Sequence, residues 1–195
     1  MLKQKDIMDC LPLLASVLGN QYGVTVEIGG REAYTDGKTI HLPALPLDSE
    51  PKLITMIKGY CDHESAHIRE TDFEILRKAN LTPFQHNLFN ILEDWRVEER
   101  LSARYPGCRE NFRHLIQKLF GTQKAGDTNP AFSILNTILL TVRSWSVDAI
   151  IPRRESVAKT MDRHYPGLRK ALDGILGRVK DSCKDTGDCI RYALE

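Results

Sequence analysis

The chain has 195 residues, and its 27 basic and 26 acidic side chains leave a formal net charge of +1. This length suits one domain with a buried core, and a composition of 42% hydrophobic and 27% charged residues excludes a disordered or fibrous protein. The near-zero charge argues against nucleic acid and anionic membranes as partners, and no apolar run reaches the ~18 residues that a membrane-spanning helix needs.

Residues 1–50 are predicted to form one helix and a small sheet. Apolar residues recur at helical spacing over 6–18, and Gly19 then ends the helix. Residues 24–28 alternate between apolar and polar side chains, as a strand does, and a turn at Asp36-Gly37 leads into a second strand over 39–43. Residues 39–42 are predicted to form an exposed edge strand that could pair with an extended peptide.

From residue 51 onward, apolar periodicity and the positions of Pro and Gly predict helices only. They span 51–71, 83–105, 109–120, 130–148, 153–165 and 166–182. The final stretch, 180–195, is charged and has little pattern. The predicted fold class is therefore α+β, predominantly helical with a small N-terminal sheet.

The predicted helix over 51–71 contains an H-E-x-x-H motif, His63-Glu64-Ser65-Ala66-His67. Residues four apart lie one turn apart on the same helical face, so the two imidazoles can bind one zinc ion. The intervening Glu64 can then act on the water bound to the metal. The motif therefore predicts His63 and His67 as zinc ligands and Glu64 as the catalytic base.

Glu64 also projects into the middle of the apolar face of this helix, which is unusual for a carboxylate. The residues that share this face are Leu53, Ile54, Ile57, Tyr60, Cys61 and Ile68. A carboxylate on a buried face is costly unless a partner compensates for it. A metal-bound water in a substrate cleft would do so. The alternative is a buried arginine that pairs with Glu64, with histidines that only cap the core.

The helix over 83–105 carries three acidic residues that could supply the third zinc ligand. Asp94 and Glu98 lie together beside its apolar face, one turn apart. Glu93 points to the far side, towards Arg96 and Arg100, where it is predicted to be a solvated ion-pair partner. We therefore predict Asp94 as the third ligand and Glu98 as the carboxylate that holds a histidine N–H in place. The reverse assignment and Glu93 as the ligand are the alternatives.

These motifs resemble a known group of proteins. His63-Glu64-x-x-His67, followed 27 residues later by Asp94 and then Glu98, resembles gluzincin-type zinc metallopeptidases. Together with Thr71-Asp72-Phe73 and the run 90–98, the pattern is similar to the metallopeptidase domain of CobT-like proteins that carry a von Willebrand factor A domain, many of them bacterial or phage-encoded. The resemblance covers 51–105. The usual gluzincin order is Glu then Asp, whereas Asp94 precedes Glu98 here.

The resemblance implies a single zincin-like metallopeptidase domain over 1–195. Within it, 1–50 would form the helix and small sheet, 51–105 the metal-binding helices and 106–195 a helical C-terminal part. Because the von Willebrand factor A domain of the CobT-like group is missing from these residues, the chain is expected to be a fragment of a longer protein. Such a domain or an ATPase is the expected partner, beside a peptide or protein substrate.

The predicted function is zinc-dependent hydrolysis of peptide bonds, with Zn²⁺ as the cofactor. The alternative is a non-catalytic, zinc-stabilised interaction domain of a CobT-like assembly. A cytoplasmic location is expected, because the first residues lack the apolar core of a signal peptide. The odd number of cysteines and the absence of a C-x-x-C pair predict free thiols.

Overall fold

The computed structural model describes residues 4–44, 51–121 and 129–195. The strands are β1 (Thr25–Ile28), β2 (Tyr34–Thr35) and β3 (Thr39–Leu42). The helices of the described residues are α1 (Gln4–Gly19), α2 (Pro51–Glu70), α3 (Phe73–Lys78), α4 (Pro83–Arg104), α5 (Pro106–Phe120), α6 (Pro130–Arg143), α7 (Ile151–His164), α8 (Leu168–Ser182) and α9 (Thr186–Leu194), with a short 3-10 helix at Asp148–Ile150 before α7. This architecture confirms the predicted α+β class with a predominance of helix.

The sheet has the strand order β1-β3-β2, with β3 in the centre. β1 pairs with β3 in parallel, Thr25 opposite Thr39, whereas β2 pairs with β3 in the antiparallel sense, Tyr34 opposite His41. The prediction that residues 39–42 form an exposed edge strand is therefore wrong. The two outer strands cover both edges of β3, and Ile40 and Leu42 are fully buried.

The β2–β3 connection is a tight turn at the predicted Asp36-Gly37. The Asp36 carboxylate accepts hydrogen bonds from the backbone N–H groups of Lys38 and Thr39, both at 2.8 Å. Gly37 adopts a φ of 93°, a left-handed conformation that glycine tolerates without steric cost. These backbone hydrogen bonds lower the pKa of Asp36, that from Thr39 contributing most.

Two of the helices, α3 and α9, differ from the prediction. α3 begins after Asp72, whose carboxylate accepts hydrogen bonds from the N–H groups of Glu74 and Ile75 at 2.9 and 3.0 Å. α9 lies in the stretch predicted to lack pattern, and Asp185 caps it by accepting a bond from the N–H of Asp188. Both helices are shorter than ten residues, so tertiary packing determines them more than periodicity does.

The chain divides into two compact units. The first consists of Met1–Thr71 and Val97–Leu115, and the second of Asp72–Arg96 and Ile116–Glu195. The chain therefore passes from one unit to the other after Thr71, within α4 and within α5. The buried core of the first unit is formed by Leu11, Ala15, Val24, Ile40, Leu42, Ile57 and Cys61. α1, α2 and β3 supply most of these side chains.

Within the first unit, α2 packs closely against α5. The Asn111 side chain donates a 2.7 Å hydrogen bond to the buried Asp62 carboxylate. One turn earlier, Gly59 lets the two backbones approach, because a Cβ there would lie 3.1 Å from Leu115 Cβ and 3.2 Å from the Asn111 carbonyl oxygen. α5 therefore approaches the helix that carries the H-E-x-x-H motif closely at this point.

The second unit has its own core around α6, α8 and α9. Its buried members are Phe89, Ile91, Leu92, Ile138, Val142, Leu176, Val179, Cys189, Ile190, Tyr192 and Ala193. α9, although only nine residues long, buries Cys189, Ile190, Tyr192 and Ala193. None of the described helices combines the length and the apolarity needed to cross a membrane.

Candidate metal centre

The H-E-x-x-H residues lie on α2, which agrees with the helix predicted there. His63 and His67 stand one turn apart, with ring centroids 4.8 Å apart and ring planes at 83°. Glu64 between them is 5% exposed. The helical register therefore presents the two imidazoles on one face, as the motif requires.

One nitrogen of each imidazole is held by a neighbouring side chain. His63 Nδ1 lies 2.7 Å from Oε1 of Glu98, a carboxylate that can only accept this hydrogen bond when ionised. His67 Nδ1 lies 3.0 Å from the hydroxyl oxygen of Thr71, which follows α2 directly. These contacts fix the orientation of both rings and make Nε2 the nitrogen of each ring that is suited to bind an ion.

Asp94 lies on α4, one helical turn before Glu98. His63, His67 and Asp94 each offer one ligand atom, and these atoms lie within 4.8 Å of one another. The three side chains could therefore hold a metal ion. This is the set of ligands that the sequence predicts, although which atoms bind an ion, and which ion it is, stay a prediction.

The Asp94 carboxylate is itself held by a buried arginine. Arg143, at the end of α6, donates from Nη2 to Asp94 Oδ2 at 2.8 Å, and its side chain is 5% exposed. Arg143 thus holds one carboxylate oxygen of Asp94 and orients this side chain. Sequence reasoning missed Arg143, and the one signal was a cationic residue that ends an otherwise apolar helix.

The prediction that Glu93 lies in solvent is wrong. Glu93 is fully buried, and its carboxylate accepts a 2.6 Å hydrogen bond from Arg96, which is 3% exposed. The hydroxyl of Thr186 donates to the same Glu93 oxygen at 2.9 Å. Because α9 covers this side of α4, the pair that was predicted to be solvated lies inside the second unit.

Burial changes the titration of several groups on α2. Burial raises the pKa of the Tyr60 phenol, and the Glu64 carboxylate raises it further. Burial also raises the pKa of Asp62, although hydrogen bonds from Asn111 and Cys108 oppose this effect. The Cys61 thiol, deeper in the core, has its pKa raised to about 12 by burial and by the charge of Asp62. These three side chains, which precede the histidines on α2, are therefore shielded from solvent.

The similarity to known proteins lies at the level of the family. No curated protein and no solved structure matches the chain. The family model described as cobalamin biosynthesis protein CobT matches residues 3–187, which is nearly the whole chain. The match includes both histidines of α2 and Asp94 of α4. The chain therefore belongs to the CobT family.

Proposed function

We propose that this member of the CobT family is a zinc-dependent hydrolase of peptide bonds. In this proposal, His63, His67 and Asp94 bind Zn²⁺, and Glu64 is the catalytic base. The observation that carries the proposal is the group of three potential ligands within 4.8 Å, combined with a glutamate between the two histidines.

The donor set fits zinc. Two imidazole nitrogens and one carboxylate oxygen are a common ligand set of catalytic zinc sites, which keep one position for water or substrate. A zinc ion bound there would supply Lewis-acid polarisation of the scissile carbonyl and would lower the pKa of a coordinated water. A site closed by a fourth protein ligand would instead be structural. Among the residues that the structure describes, the group of potential ligands within 4.8 Å consists of His63, His67 and Asp94.

Each nearby side chain has a distinct task in this proposal. Glu64 accepts a proton from the attacking water at its carboxylate and later gives it to the leaving amine nitrogen. Glu98 keeps the proton of His63 on Nδ1, so that Nε2 carries the lone pair for the ion. Arg143 orients the Asp94 carboxylate through a hydrogen bond to Oδ2. These contacts orient the proposed ligands before a substrate binds.

The biological setting of the activity is also part of the proposal. The family description names cobalamin biosynthesis, and we propose that the hydrolysis acts on a peptide or protein partner in that process. A protein with a von Willebrand factor A domain or an ATPase is the partner that the CobT-like resemblance supports. We further propose a cytoplasmic location, which the five free cysteines support.

A second candidate is a zinc-stabilised interaction domain without catalysis. The family description favours it, because it names biosynthesis and not proteolysis. The 5% exposure of Glu64 also favours it, since a base must reach a water molecule. Under this candidate, the same three ligands bind zinc, and the surrounding helices depend on the ion for their order.

The two candidates separate in one experiment on Glu64→Gln. Purified wild-type protein is analysed for zinc by mass spectrometry and is tested for cleavage of a fluorescently labelled unstructured protein. The hydrolase proposal predicts that Glu64→Gln keeps its zinc and loses roughly 100-fold or more of the cleavage rate, because a positioned base contributes about that much. The matched control Glu74→Gln, an exposed glutamate of α3, should keep both zinc and cleavage.

The other outcomes of this experiment also distinguish between the two candidate functions. Bound zinc with no cleavage by the wild type supports the interaction domain. Full cleavage by Glu64→Gln contradicts the hydrolase mechanism. A wild-type protein that binds no zinc, even when the ion is added, contradicts both candidates.

A further inference from the structure

The end of α8 and the start of α9 bring two cysteines together. The sulfur atoms of Cys183 and Cys189 lie 3.2 Å apart. The sequence gives little warning of this contact, because six residues separate the two positions and the stretch was predicted to lack pattern. Both residues belong to the second unit.

The backbone between the cysteines is held in a defined turn. Cys183 is the C-cap of α8 and has an extended conformation, with φ −73° and ψ 110°. The N–H of Lys184 then donates to the Asp188 carboxylate at 2.9 Å, and the N–H of Asp188 donates to Asp185, also at 2.9 Å. The short distance between the thiols thus follows from the capping of two consecutive helices.

The start of α9 is also tied to α3 and α4. The Thr186 hydroxyl donates to Glu93 and accepts from the backbone N–H of Asp72, both at 2.9 Å. Thr186 is 2% exposed, so these hydrogen bonds lie in a protected environment. These hydrogen bonds hold the start of α9, the helix that carries Cys189, against α3 and α4.

The two thiols differ in access and in acidity. Cys183 is partly exposed, whereas Cys189 is fully buried. The hydrogen bond with Cys189 contributes most to lowering the pKa of Cys183, and the charge of Arg96 also lowers it. Burial and the charges of Asp188 and Glu93 act in the opposite direction. The pKa of Cys189 is raised by the same hydrogen bond and by burial. Cys183 is the better nucleophile of the two, because the thiolate is the reactive form.

We propose that Cys183 and Cys189 form an oxidation site that a peroxide converts to an intramolecular disulfide. The Cys183 thiolate attacks hydrogen peroxide, the O–O bond breaks, and a sulfenic acid and hydroxide form. The Cys189 sulfur then attacks the sulfenic sulfur and displaces hydroxide, which leaves as water after protonation. Overall, two thiols lose two electrons and two protons, and one peroxide becomes two waters.

The sequence makes the product easy to identify. Lys184 lies between the two cysteines, and Lys180 and Arg191 flank them, so trypsin cleaves the loop that the disulfide closes. Oxidised protein should yield peptides 181–184 and 185–191 joined by a disulfide. The intact full chain is treated with increasing hydrogen peroxide, its remaining thiols are blocked with N-ethylmaleimide in denaturant, and unreduced tryptic peptides are measured by mass spectrometry.

We expect the 181–184/185–191 linkage to form at a peroxide dose at least tenfold below that for any other disulfide. The matched control Cys10→Ser, which removes an exposed lone thiol, should leave this yield unchanged. In Cys189→Ser, dimedone should label Cys183 as a sulfenic acid. The proposal is overturned if the wild-type pair stays reduced while Cys10 oxidises, or if Cys183 pairs mainly with another cysteine.

Discussion

At the scale of single residues, the hydrogen bond from His63 to Glu98 connects the helix of the histidines to the helix of Asp94. The contact is short, 2.7 Å, and Glu98 is 6% exposed, so solvent screens it little. The buried carboxylate holds the imidazole in one tautomer and one orientation. This single contact should therefore affect metal affinity without itself touching the ion.

Glu98→Gln tests this role. We expect zinc affinity to fall by about 10- to 100-fold, the usual effect of removing the partner of a metal-binding histidine. Competition with a zinc-binding dye measures the affinity. Glu99→Gln is the matched control, because the neighbouring Glu99 is partly exposed and lies near Arg109. The zinc affinity of this variant should equal that of the wild type. Equal affinity of Glu98→Gln and wild type would contradict the role.

The position of a side chain could be predicted where spacing along one helix determines it. It could not be predicted where packing against a distant part of the chain determines it. The i, i+4 spacing of His63 and His67 follows from the helix alone, and Asp94 lies near them as the wheel suggests. Arg143 reaches Asp94 from another helix, 49 residues later, and no local pattern indicates that contact. Glu93 was assigned to solvent because the helix that buries it was not predicted.

At the scale of elements, close packing of α2 on α5 makes Gly59 a structural requirement. Alanine is ordinarily favoured over glycine inside a helix by about 1 kcal/mol. At position 59, however, the new methyl would lie 3.2 Å from a backbone carbonyl oxygen of α5, which moves only with the whole helix. We expect Gly59→Ala to destabilise the protein by about 1–3 kcal/mol.

Gly177→Ala provides the matched comparison for this prediction. Gly177 lies in α8 with nothing within 4 Å of a new Cβ, so alanine should stabilise the protein by up to about 1 kcal/mol. Urea unfolding followed by circular dichroism measures both variants. If the free energy of unfolding changed with the same sign in both variants, this would contradict a close approach of α2 and α5 at Gly59.

Some helices and strands could be predicted from the sequence, and others could not. Long amphipathic helices such as α2 and α4 were predicted nearly to their ends, because each presents several turns of periodic apolar residues. α4 even begins with a recognisable capping box, in which Thr82 and Gln85 exchange hydrogen bonds. The pairing order of the strands was not predictable, since β3 is equally strand-like at an edge or in the centre.

At the scale of the whole molecule, a bound ion should stabilise the fold against unfolding. A ligand at 100 times its dissociation constant adds about 2.7 kcal/mol when it binds only the folded state. For a chain of this length, that corresponds to a rise of roughly 5–10 °C in the melting temperature. Removal of zinc with a chelator should therefore lower the melting temperature, and added zinc should restore it.

Asp94→Asn and Asp173→Asn distinguish a specific site from general binding. Asp94→Asn removes the predicted charged ligand and should abolish most of the zinc response. Asp173 is an exposed residue of α8, and its replacement should leave the response intact. Differential scanning calorimetry with and without chelator gives the comparison. A zinc-induced shift of full size in Asp94→Asn would exclude the predicted ligand set.

The strand order described above also bears on how the chain folds. Although β1 and β3 are parallel, every pairing of the sheet lies within residues 25–42, and the most distant partners, such as Thr25 and Thr39, are 14 positions apart. Closing loops this short costs little chain entropy, and contacts between near neighbours in the chain form fast. The sheet can thus assemble from one contiguous segment and offer Ile40 and Leu42 as a preformed surface on which α1 and α2 complete the first core.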